Sequence, residues 1–130
     1  MSAFDANNEL VEVFEVGART DTTSTIDYEN FIWKGLTILM LVSEVSGTGG
    51  LQPRMEVKDP DGGYTFLNVP PPAITTIGNY LYTLYPGAGT GGGANLVQAI
   101  SLPLPKFFRV TITHLDNSSY TYAMCILLQV

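Results

Sequence analysis

One histidine and one cysteine in 130 residues limit the chemistry open to this chain. Nucleophilic catalysis needs a Ser, Cys or Thr beside a base, and a zinc-type centre needs several His, Cys or carboxylate ligands. His114 closes an alternating run next to Asp116. It reads as a half-buried strand-end residue bonded to a turn carbonyl, because a base or ligand role requires partners that nothing nearby supplies. Cys125 sits in an apolar run from Ala123 to Leu128 and reads as a small buried hydrophobe. Asp59 and Asp61 flank Pro60 and offer oxygen ligands, but calcium takes about six to eight oxygens. They read as a turn. Glycines 87, 89, 91, 92 and 93 run into Ala94-Asn95-Leu96 without the lysine of a phosphate-binding loop, and read as surface loop. Asn117-Ser118-Ser119 matches a glycosylation sequon and reads more simply as a turn. The expectation is a non-enzyme with no catalytic residue, no cofactor and no metal.

Aromatic side chains offer a different chemistry. Trp33, Tyr80, Tyr82, Tyr85, Tyr120 and Tyr122 could form a flat platform for sugar faces, which makes a carbohydrate-binding module for host attachment one alternative. Their strand positions favour packing within the core.

These residues must be positioned by strands. The chain is 45% hydrophobic and only 14% charged, with 12 acidic against 6 basic residues and a net charge of −6. That hydrophobic content excludes disorder, and the six basic residues, scattered singly from Arg19 to Arg109, leave no patch for nucleic acid. Residues 1–10 show no secretory signal, and the longest apolar run, 36–42, is far short of the roughly 20 residues that cross a bilayer. The expectation is a protein made in a reducing cytosol that binds neither membrane nor nucleic acid.

Alternation with period two marks most of the chain. Leu51, Pro53, Met55 and Val57 fall on one face and Gln52, Arg54, Glu56 and Lys58 on the other; Pro53 predicts an edge strand or the start of a strand. Leu36, Ile38, Met40 and Val42 alternate with Leu39 and Leu41, which predicts a central strand covered on both sides. Ser46-Gly47-Thr48-Gly49-Gly50 predicts a hairpin joining those two strands, Asp59-Pro60-Asp61-Gly62-Gly63 a second turn, and Asp116-Asn117-Ser118-Ser119 a C-terminal hairpin. With strands near 9–16 and 22–28 the count is about eight. This is an all-β chain: a single antiparallel β-sandwich domain over residues 9–130, jelly-roll-like or immunoglobulin-like, preceded by an extended arm at residues 1–8. Leu36, Ile38, Met40, Val42, Val57, Phe108, Val110, Ile112, Met124 and Ile126 are the expected core.

Several short motifs carry a family resemblance: Lys34-Gly35-Leu36, Val45-Ser46-Gly47-Thr48, Val57-Lys58-Asp59-Pro60, Thr76-Ile77-Gly78-Asn79-Tyr80, Leu84-Tyr85-Pro86-Gly87, residues 102–105, Phe108-Arg109-Val110 and Ser119-Tyr120-Thr121-Tyr122. Over residues 34–130 the chain resembles small β-sandwich virion proteins of tailed bacteriophages. The resemblance implies a structural protein on the capsid surface, made in the host cytoplasm, that decorates or cements the assembled head. Its implied partners are the major capsid protein and copies of itself, a trimer being one closed form. A tail or head–tail connector component is the alternative within the virion. Contacts are expected from the arm (Phe4, Asn8), the 47–50 loop (Thr48), the proline run (Pro70, Pro71, Pro72) and the glycine loop at 87–95 (Gly89, Gly92).

Overall fold

A computed structural model describes residues 9–89 and 95–130. Ten strands follow one another: β1 (Glu9–Arg19), β2 (Thr23–Ser24), β3 (Tyr28–Glu29), β4 (Gly35–Val45), β5 (Leu51–Lys58), β6 (Tyr64–Phe66), β7 (Gly78–Leu84), β8 (Leu96–Ile100), β9 (Phe107–His114) and β10 (Tyr120–Gln129). They build two packed sheets, one ordered β1-β10-β4-β7-β8 and the other β2-β9-β5-β6, with β3 also beside β9. The excess over eight comes from β8 and from division of the polar 22–28 segment into two short strands.

The pairing follows one rule. β1 pairs with β10, β2 and β3 with β9, β4 with β7, and β5 with β6. Strands of the first half therefore meet those of the second in reverse order, as in one long hairpin, and wrapping that hairpin adds the pairs β10 with β4 and β9 with β5. This is the jelly-roll arrangement, which decides between the two expected topologies. β8 is an addition to it, running parallel to β7. A parallel neighbour requires a connection of about a dozen residues, and Leu84 and Leu96 are separated by that much sequence.

Alternation places the core. Leu36, Ile38, Met40 and Val42 of β4, Met124 and Ile126 of β10, and Phe108, Val110 and Ile112 of β9 are all buried in one cluster, as expected. Val57 is half-buried, since it lies near the end of β5 beside the exposed turn. The 59–63 turn closes the β5–β6 hairpin with Asp59 N–H donating to Gly63 O at 2.7 Å and Gly62 at φ +89°.

Two expected hairpins are not hairpins. β4 and β5 lie in different sheets, and so do β9 and β10. Residues 46–50 and 115–119 are instead arches that carry the chain across the core at one end of the sandwich. Alternation suits either connection, because in both cases two successive strands bury one face; in an arch the faces meet across the core rather than side by side. The arches are bonded to each other: Ser46 N–H and Oγ both donate to Ser119 O (3.1 and 2.7 Å), and Gly49 N–H donates to Asp116 Oδ2 (2.8 Å). Close approach explains the glycines. A Cβ on Gly49 would lie 2.8 Å from Asp116 Oδ2, and Gly50 combines φ +92° with only 2.7 Å between an added Cβ and Ile74 O.

Pro53 is the third residue of β5, near the start of the strand as expected; it pairs with Ile112 of β9 on one side, and β6 reaches only Glu56–Lys58 on the other. Its neighbours explain how it fits there. Leu51 N–H donates to Ile74 O and Met55 N–H to Asn68 Oδ1, so odd-numbered donors of β5 face the irregular segment after β6 and the missing donor of Pro53 interrupts no regular ladder. The expectation for β4 is half met. It is central and its inner face is covered, but the two sheets account for all ten strands, so no described strand lies over Leu39 and Leu41.

Candidate functional site

The residues with catalytic potential are dispersed into structural roles. His114 Nε2 lies 2.9 Å from the Tyr122 hydroxyl rather than at a turn carbonyl, and its ring meets Tyr120 edge-on at 5.6 Å. Burial lowers its pKa, with Asp21 and Asp116 opposing that shift. Asp116 is occupied by the arch: it accepts from Gly49 N–H, Ser118 N–H and the Tyr120 hydroxyl, and these bonds hold its carboxyl below the usual range. The Tyr120 hydroxyl in turn accepts from Gly50 N–H at 2.9 Å. Among the described residues no three His, Cys, Asp or Glu side chains are grouped to hold a metal.

The aromatic platform does not assemble. Tyr82, Tyr120 and Tyr122 are fully buried in the core, and Trp33 and Tyr80 pack against it. Burial pushes the Tyr82 hydroxyl well above its ordinary pKa.

The loop positions expected to make contacts also separate. Thr48 is exposed on the first arch, and Pro70 and Pro72 are exposed beside β5. Pro71 is buried, its carbonyl accepting from Gln52 Nε2 at 2.8 Å, which removes it as a contact residue. Gly89 is exposed at the opposite end, on the rim of a depression of about 410 Å³ shared with Tyr85, Leu96 and Val130. Phe4, Asn8 and Gly92 lie outside the described residues, as does the arm at residues 1–8.

What the fold does bring together is the outer face of the five-stranded sheet. Register places Leu10, Leu127, Thr37, Thr83 and Ala99 in one row across β1, β10, β4, β7 and β8. The next row holds Cys125, Leu39, Leu81 and Leu96, with Glu12 of β1 at its end; the third holds Ala123, Leu41 and Asn79. From β10 to β8 these rows contain no charged residue. Leu10 is 69% exposed, and Leu39, Leu41, Leu81, Leu96 and Leu127 are half-buried through contact along the sheet. Cys125 is half-buried here, not enclosed in the core. In the first row the polar groups bond to one another: Thr37 Oγ1 lies 3.2 Å from Thr83 Oγ1 and donates to Gln129 Oε1 at 3.1 Å, while Asn79 in the third row is exposed. Glu44, bonded to Thr121 at 3.4 Å, marks the polar limit near the arches.

The outer face of the other sheet is different in kind. Arg109 pairs with Glu56 at 3.2 Å and stacks on Tyr64, with its guanidinium carbon 3.4 Å from the ring centre. Arg54 stacks on Phe66 at 3.7 Å and donates to Asn68 O. Lys58 pairs with Asp27 at 2.9 Å, and hydrogen bonds from Tyr64 and Lys58 hold the Asp27 carboxyl below its usual range. Basic residues that are scattered along the sequence thus converge here, each already engaged.

No protein-family model, curated protein or solved structure matches the chain. The outer apolar face was not among the positions expected to make contacts. Its sequence signal was present in the two-sided apolarity of residues 36–42, which reads equally as internal covering.

Proposed function

We infer that this chain is a structural assembly protein of a tailed-bacteriophage virion, decorating the outer surface of the head and binding the major capsid protein. The observation that carries the reading is the uncharged outer face spanning β10, β4, β7 and β8, a contiguous apolar surface of the kind that marks protein association. The jelly-roll order adds support by analogy, since viral capsid and lectin domains both use it; fold alone assigns no function. The resemblance in the turn motifs selects the virion from those uses. Thr48, Pro70 and Pro72, exposed on loops, are the positions proposed to touch the capsid.

Quantitative mass spectrometry of purified particles of the encoding phage tests this. Tens to hundreds of copies per particle are expected. A handful of copies would favour a tail or connector position, and absence from the particle would overturn the virion reading.

A further inference from the structure

The geometry points to a second copy of this chain as the occupant of the apolar outer face, the two five-stranded sheets packing against each other as a face-to-face dimer. This rests on reading that face as an assembly surface, and it names the partner.

Three observations favour a like copy. The first is charge. A chain of net charge −6 repels itself wherever its carboxylates face one another, so self-association needs a surface without them. From β10 to β8 the rows through Leu127, Leu39 and Leu41 hold no charged side chain, whereas the opposite sheet carries Arg54, Glu56, Lys58 and Arg109.

The second is the cost of removing water. Thr37 and Thr83 bond to each other and Thr37 donates to Gln129 Oε1 within the plane of the sheet, so these hydroxyls and that carbonyl oxygen can be covered without a hydrogen bond from the partner. A second apolar sheet, which offers few hydrogen bonds, is a suitable cover.

The third is area. The four uncharged strands, about 4.8 Å apart and about 26 Å long, give roughly 500 Å² per copy. Two copies bury about 1,000 Å², the lower bound for a specific interface. Two twisted sheets with aliphatic faces also pack at about 10 Å, the mode already used between the two layers of this fold.

Sedimentation equilibrium over a broad concentration series tests the proposal. The expected result is a reversible rise in mass from 14.1 kDa to twice that value, with a micromolar or tighter Kd. Leu39→Glu and Leu127→Glu should each weaken association at least tenfold, and Ile26→Glu, at an exposed position elsewhere, should not. Isotope-filtered NOE spectroscopy on a mixture of labelled and unlabelled wild-type protein needs no substitution and guards against a variant that fails to fold. Intermolecular contacts from the methyls of Leu39, Leu81 and Leu127 are expected. A monomer at every concentration, a trimer, or a dimer whose contacts lie elsewhere overturns the proposal. A monomer that is nonetheless abundant in particles would leave the virion reading standing, and a dimer absent from particles would do the reverse.

Discussion

Asp116 accepts a hydrogen bond from the backbone N–H of Gly49 at 2.8 Å, joining the turn after β9 to the turn after β4. These residues are 67 positions apart, and the bond exists because both turns cross from one sheet to the other at the same end. The arches form one unit, with Tyr120 between them donating to Asp116 and accepting from Gly50.

Substitutions at this junction should therefore act on global stability. Tyr120→Phe removes a buried hydroxyl and leaves Gly50 N–H without that acceptor, a loss of about 1–3 kcal/mol. Gly50→Ala should cost more than about 1 kcal/mol, since it combines a positive φ with a close backbone contact. Urea unfolding with a constant m-value checks both; wild-type stability in Gly50→Ala would exclude the arch geometry.

The His114 ring supplies a pH dependence. Its folded pKa is lowered by burial from the ordinary 6.5, so the unfolded chain binds a proton that the folded chain resists. Stability from this group is fully present above about pH 6.5 and falls as the pH drops through that value toward the lowered folded pKa. Melting temperatures measured between pH 8 and 5 should decline in the wild type and stay flatter in His114→Gln. Equal slopes in the two proteins would contradict the assignment.

Burial separates two residues that look equivalent in sequence. Ile38 is fully buried, and Ile38→Ala should destabilise by about 2–5 kcal/mol. Val57→Ala, at a half-buried position, should cost clearly less. Chemical denaturation of the two variants side by side decides whether this part of the core is correctly placed.

On the opposite sheet, Glu56 is buried and paired with Arg109. Arg109→Ala breaks that ion pair, leaving Arg54 as the nearby positive charge, and removes the stacking on Tyr64, a loss of about 3 kcal/mol. Lys58→Ala breaks an ion pair that is open to solvent and should shift the melting temperature much less. Similar losses for the two variants would place Glu56 at the surface.

Strand positions and their inward faces were legible because alternation is a local property with a period of two. Leu36, Ile38, Met40 and Val42 must share a face whatever pairs with β4, and the Asp59-to-Gly63 turn closes its hairpin within a few residues. Paucity of charge was likewise plain in the composition. Pairing between strands was decided only by the tertiary fold. The same turn residues at 46–50 and 115–119 suit a hairpin or an arch, and the choice depends on which distant strands flank each one: β10 and β7 for β4, β9 and β6 for β5. The outer apolar face follows from that choice. Leu39, Cys125 and Leu81 are distant in sequence and become neighbours only when β10, β4 and β7 lie side by side with one face turned away from the core. Period-two patterning specifies the two faces of a strand, while the contacts available in three dimensions determine which of them is covered.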